Sequence, residues 1–152
     1  MQTRRETLKQ SALVAGLLAA TGLFPQLARA YDGRAAFDAK STADVVKALS
    51  ASAPVESKDI SLTAPDIAEN GAVVPVGAST TLAGVKQLLI LVEKNPTALT
   101  AMFNVTDSVE PNFSTRVKMG QSSDIYAVAI MKDGKAFYAK KEVKVTLGGC
   151  GG

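Results

Sequence analysis

From Lys58 onward the chain alternates apolar and polar residues with a period of two, and turn residues interrupt that alternation at short intervals. A chain patterned in this way folds into strands, because successive side chains of a strand face opposite sides of a sheet. Ile60 and Leu62 alternate with Asp59, Ser61 and Thr63, and Pro65-Asp66 and Asn70-Gly71 signal turns. Residues 72–76 read as a second short strand. Pro75 within it favours an edge strand or a bulge, since proline has no N–H to give to a ladder. Val85–Val92 is a long apolar strand stopped by Asn95-Pro96, and its unbroken apolarity suits either the core or a subunit interface. Strands over residues 99–105 and 113–119 follow, separated by a loop with Asp107, Glu110 and Pro111. Residues 125–131 and 135–139 flank Asp133-Gly134, a pair suited to a tight hairpin. Lys141, Val143, Val145 and Leu147 then alternate with Glu142, Lys144 and Thr146. Seven or eight short strands within about 90 residues predict a mainly β, antiparallel sandwich over residues 58–147.

Ahead of the strands, residues 31–57 hold one helical segment. Ser41 is placed as its N-cap and Asp44 falls in its first turn. Val45, Val46 and Leu49 fall on one face, and Pro54 ends the element. The expectation is a short helix covering one end of a sheet.

The last five residues are Gly148-Gly149-Cys150-Gly151-Gly152, and they contain the chain's single cysteine. A cysteine kept for packing has bulky neighbours. Here the neighbours have no side chains, and glycine takes backbone angles of either sign. At about 3.3–3.6 Å per extended residue, Cys150 reaches roughly 10 Å beyond Leu147. The segment reads as a carrier arm that brings one thiol into other proteins' active sites. Gly148, Gly149, Gly151 and Gly152 supply the flexibility and let the backbone pass a narrow channel. No lysine or arginine adjoins Cys150, and the carboxylate of Gly152 disfavours its ionisation. The thiol is therefore an acceptor that becomes reactive inside a partner's site.

With no histidine and one cysteine, the chain has no Ser-His-Asp or Cys-His machinery, no histidine-bearing metal site and no internal disulfide. No acidic calcium-loop pattern appears either, so no cofactor is expected on this chain. Ser122-Ser123-Asp124 reads as a turn, and Lys140-Lys141 as a solvated face with a possible role in steering partners. Met102, Phe103, Met119 and Met131 suit the core or a partner interface.

Residues 1–30 have the three parts of an export signal. Thr3-Arg4-Arg5-Glu6-Thr7-Leu8-Lys9 supplies the charged part, residues 11–24 the apolar part and Ala28-Arg29-Ala30 the cleavage site. The paired arginines resemble a twin-arginine signal, although Thr7 stands where the pattern has a bulky apolar residue. An ordinary secretory signal is the alternative. A retained anchor needs about 20 apolar residues, which the run lacks. Cleavage after Ala30 leaves a periplasmic chain that starts at Tyr31. Lys and Arg number 17 and acidic residues 14; the signal removes Arg4, Arg5, Lys9, Arg29 and Glu6, leaving 13 of each sign. Neither nucleic acid nor an anionic membrane is an expected partner of so balanced a chain.

These residues together resemble the SoxY family, the sulfur-carrier subunits of bacterial thiosulfate oxidation. The resemblance rests on the terminal Gly-Gly-Cys-Gly-Gly preceded by Val143-Lys144-Val145-Thr146, and on the twin-arginine-like leader. Ile67-Ala68-Glu69-Asn70-Gly71, Val74-Pro75-Val76 and Arg116-Val117-Lys118-Met119 ahead of Ser123-Asp124 support it. It implies an immunoglobulin-like β-sandwich paired with a second sandwich subunit, SoxZ, and a substrate held covalently on Cys150. It also implies a haem enzyme that couples thiosulfate to the thiol and a dimanganese hydrolase that releases sulfate. A molybdenum-type sulfur dehydrogenase acts in some organisms. Two other readings compete: a β-grasp carrier using the Gly152 carboxylate, and an exported structural sandwich dimerised through a Cys150–Cys150 disulfide. Export and the number of strands oppose the first. The second needs no glycine around its bridge.

Overall fold

The computed structural model describes residues 34–146, all within the compact unit spanning Gly33–Gly152. Two short helices, α1 (Arg34–Asp38) and α2 (Thr42–Ala48), precede nine strands. These are β1 (Val55–Glu56), β2 (Ile60–Thr63), β3 (Ile67–Ala68), β4 (Val74–Thr80), β5 (Val85–Val92), β6 (Leu99–Asn104), β7 (Asn112–Val117), β8 (Ser123–Met131) and β9 (Ala136–Val145). The larger sheet has the order β1-β9-β8-β5-β6, with β3 also pairing to β9, and the smaller has the order β2-β4-β7. The fold is the mainly β, immunoglobulin-like sandwich expected. It is antiparallel except where β1 and β3 run parallel to β9.

β5 is the centre of the packing. Leu88, Ile90 and Val92 project into the space between the sheets, against Val74, Val76, Ile125 and Val143. Leu89 and Leu91 project from the other face and pack with Ala36, Val45, Val46, Val128 and Ile130. A strand covered on both faces reads as one apolar run, the pattern usual for buried parallel strands. β5 shows it in an antiparallel sheet because helices cover the outer face. The strand lies in the core, which settles the choice left open by its sequence.

The helix expectation holds at the cap and fails in placement. Ser41 Oγ accepts from the Asp44 N–H at 3.2 Å, as an N-cap should. But α2 lies on the outer face of the larger sheet and not over an end, because Val45 and Val46 fit against Leu89 and Leu91. Thr42 Oγ1 donates to Glu93 Oε2 at the end of β5, which fixes the helix start to the sheet. The helix ends in a Schellman motif: Ser50 N–H bonds to Lys47 O at 3.0 Å and Ala51 N–H to Val46 O at 3.1 Å. Ser50 therefore sits at φ 57, in the left-handed region that glycine prefers.

Two other elements differ from the pattern read in the sequence. The stretches at 135–139 and 141–147 form one continuous strand, β9, which leaves the hairpin at Gly134 (φ 85) and pairs with β8 from Ala136 to Val143. Pro75 lies in β4, the middle strand of its sheet, yet β2 pairs only with residues 77–80. Around Pro75 the strand has β7 alone for a neighbour, so the missing N–H costs no ladder bond on the β2 side. Ser50→Gly should raise the unfolding free energy by about 0.5–1 kcal/mol by relieving the left-handed backbone. A higher urea midpoint at unchanged slope would show it.

Candidate functional site

Cys150, Gly148, Gly149, Gly151 and Gly152 lie outside the described residues, as does the 1–30 segment. The end of β9, the root of the C-terminal segment, is held by several elements. β9 has β8 along one edge. Its other edge is shared: β1 pairs with Phe137 and Tyr138, and β3 pairs with Lys144 and Val145. Lys144 N–H donates to Asp66 O at 3.0 Å, and Thr146 N–H donates to Ala68 O at 3.1 Å. On the β8 side, Val145 N–H donates to Ser122 Oγ at 2.9 Å. The β8 side is thus bonded to Val145 and the β3 side to Thr146, four residues short of Cys150.

Gly71 presses on this root. A methyl at its Cα would stand 2.5 Å from Met119 O and 2.8 Å from Val145 Cγ1, so only glycine fits between the β7–β8 loop and the last residue of β9. Met119 N–H in turn donates to Gly71 O at 2.7 Å. The Asn70-Gly71 turn signal is therefore also a packing requirement. Neighbouring loops brace the same end. Asn95 Nδ2 donates to Lys118 O at 2.7 Å, and Lys94 N–H donates to Ser123 Oγ at 3.0 Å. Ile67 and Val73, 57 % and 50 % exposed, stand beside the root as apolar side chains open to solvent.

Two sequence readings are corrected here. Ser122 is more than a turn residue, because its hydroxyl is the acceptor for Val145. Lys141 does not belong to a solvated pair: its Nζ donates to Ala64 O at 2.6 Å and pairs with Asp66 Oδ1 at 2.9 Å. That bond ties the β2–β3 turn to β9. Lys140 alone has the expected exposed setting, 3.7 Å from Asp124. Met119 is core, and Phe103 stacks on Phe113 with centroids 4.4 Å apart, spanning the two sheets.

The ion pair beside the root is Lys141–Asp66, which ties a turn to β9. The carboxyls held below their ordinary range are Asp107, by its hydrogen bond to Lys132, and Asp133, by its hydrogen bond to Lys135. Both lie toward the hairpin at the other end of β9. Burial raises the Tyr126 hydroxyl on β8. Among the described residues no group of three or more His, Cys, Asp or Glu is placed to hold a metal ion, and no helix is long and apolar enough to cross a membrane. The contribution of the described residues here is positional: they fix the end of β9.

The described residues form an immunoglobulin-like sandwich whose last strand is held at its C-terminal end by β8, β3 and the Ser122 hydroxyl. The family of the sulfur oxidation protein SoxY matches residues 46–150, a span that includes the cysteine. This chain belongs to the SoxY family. A solved structure of the sulfur carrier protein SoxY from Chlorobium limicola f thiosulfatophilum is 36 % identical, with a TM-score of 0.62 over 69 % of this chain and 96 % of that one. A superoxide reductase (neelaredoxin) from Ignicoccus hospitalis shares the fold at 18 % identity, with a TM-score of 0.51 over 57 % of this chain and 79 % of that one. No curated protein sequence matches.

Gly71→Ala should displace Met119 or the end of β9 and cost about 1–3 kcal/mol, the usual range for overpacking. Denaturant unfolding measures it, and an unchanged midpoint would show that the root is looser than its contacts indicate.

Proposed function

We propose that this chain is a covalent carrier in sulfur-compound oxidation, with Cys150 as the attachment point and residues 148–152 as the arm. It is a substrate platform and not itself a catalyst. The observation that carries the reading is the extent of the family match, which runs through residue 150, joined to a clamp on β9 that ends four residues earlier. A fixed root and a tether of glycines give the thiol a defined origin and a short reach, about 13–14 Å from Thr146.

In the cycle this supports, the Cys150 thiol and thiosulfate join through a new S–S bond. One proton and two electrons are given up to a haem-containing partner. The product, a cysteine S-thiosulfonate, is hydrolysed by a dimanganese partner: water attacks the terminal sulfur, sulfate leaves and a persulfide stays on Cys150. A molybdenum-type sulfur dehydrogenase oxidises that persulfide where the pathway is complete. The haem, manganese and molybdenum belong to those partners. A SoxZ-like sandwich subunit completes the carrier. The twin-arginine-like leader supports a periplasmic site of action, and that route accepts folded proteins, so the pair can be exported together.

Cys150→Ser cells should lose thiosulfate-dependent oxygen uptake while the protein accumulates at its normal level. Uptake retained by that variant would remove the thiol from the cycle.

A further inference from the structure

The turn between β3 and β4 contains Glu69-Asn70-Gly71-Ala72. Packing at Gly71 admits no side chain, so the residue after Asn70 is fixed as glycine by Met119 O and Val145 Cγ1. The same requirement exposes Asn70 to its neighbour's nitrogen. An asparagine carboxamide is open to attack by the main-chain nitrogen of the next residue, and a side chain on that residue hinders the approach. The other three asparagines of the chain precede Pro96, Val105 and Phe113. Proline has no N–H to lose, and valine is branched at Cβ. Asn70 alone is followed by a residue without a Cβ.

The turn also prepares the carbonyl. Ala72 N–H donates to Asn70 Oδ1 at 2.9 Å, on the oxygen where negative charge develops when Cγ is attacked. The Gly71 N–H donates to no acceptor among the described residues, so its proton can leave without breaking a bond. The bond that closes the turn, Val73 N–H to Asn70 O, is 3.3 Å long and offers little resistance to rotation ahead of Gly71. Asn70 and Ala72 are exposed on either side of buried Gly71, so water and hydroxide reach the carboxamide.

We propose that Asn70 is a site of spontaneous modification, converting through a cyclic imide to aspartate and isoaspartate, and that the isoaspartyl form loosens the end of β9. The Gly71 nitrogen bonds to Asn70 Cγ and passes its proton to solvent base, while the Cγ–Nδ2 bond breaks and Nδ2 leaves as ammonia. Water then opens the ring. Attack at Cγ restores the ordinary backbone with a carboxylate side chain. Attack at the Asn70 main-chain carbonyl leaves the chain running through Cβ and Cγ, one methylene longer. The steps are neither oxidation nor reduction. The longer backbone leads directly into Gly71, whose Cα is packed against Met119 O and whose carbonyl accepts from Met119 N–H at 2.7 Å. It also lies just beyond Ala68, whose carbonyl accepts from Thr146 N–H. Either product puts a new negative charge beside Glu69. The glycine that the end of β9 needs is thus the residue that limits the lifetime of the turn. None of this depends on the carrier reading.

Peptide mapping of the mature chain held in mildly alkaline buffer tests this, because the tryptic peptide of residues 59–86 has Asn70 as its only asparagine. Its carboxamide mass should give way to the carboxylate mass in two separable products, faster than in mildly acidic buffer. Asn104 and Asn112 should stay unchanged. Asn70→Ser, which keeps an oxygen acceptor but has no carboxamide, should leave the peptide unaltered. The separated isoaspartyl protein should unfold at lower urea and exchange its Met119 amide about two- to ten-fold faster, the loss of one hydrogen bond. Asn70→Asp, with the new charge but the ordinary backbone, should stay close to the unmodified protein in both. Absence of conversion in the folded chain, when the isolated peptide converts in the same buffer, would overturn the inference by showing that the turn blocks ring closure. So would conversion at Asn104 or Asn112 at the rate of Asn70. An isoaspartyl form indistinguishable from Asn70→Asp in midpoint and exchange would overturn the inserted methylene as the cause of loosening.

Discussion

The rest of the structure depends on β9, which pairs with β8 along most of its length and with β1 and β3 at the two ends of its other edge. A terminal strand with one neighbour would fray, and a tail leaving it would have no fixed origin. Here β8 holds one edge and two fragments, β1 and β3, divide the other, so the strand stays in register from the Gly134 hairpin to Thr146. Parallel pairing by two-residue strands is unusual, because each contributes few bonds. Their support comes from elsewhere: the Lys141 bond to Ala64 and the Gly71 contact hold the β2–β4 connection down on β9. The clamp is thus part of the sandwich core and inherits its stability.

That core in turn rests on β5. Burying both faces of one strand joins the two hydrophobic clusters, one between the sheets and one beneath the helices, through a single backbone. Among the described residues both helices pack on the larger sheet.

Much of this was legible in the sequence, and the failures have physical causes. The β5 limits, the Ser41 cap and the Gly134 hairpin were readable because each is fixed by local chemistry: apolar continuity, a side-chain acceptor, a positive φ. β1 and β3 escaped notice because two residues cannot display a period. β9 looked divided because Lys140 and Lys141 interrupt its alternation, although Lys141 points its charge at a carbonyl and an aspartate. Pro75 looked like an edge residue and is one only locally, a distinction that needs the partner register. Of the proposed site, Cys150 and its glycines stand out by composition alone, and they lie outside the described residues. Ser122, Ala68 and Gly71, which hold the root, carry no such mark, since a hydroxyl acceptor or a missing methyl has meaning only once the strands are brought together. Asn70-Gly71 was the one signal available, and it reads equally well as an ordinary turn.

Membership of the SoxY family, whose match runs through residue 150, supports the proposal that Cys150 carries the sulfur intermediate. The most direct measurement is intact mass of the mature protein taken from thiosulfate-grown cells, with and without reductant, followed by mapping of the C-terminal peptide. The account predicts reductant-labile additions of thiosulfonate or extra sulfur atoms on Cys150. A bare thiol, or only a symmetrical Cys150–Cys150 dimer under turnover, would contradict it.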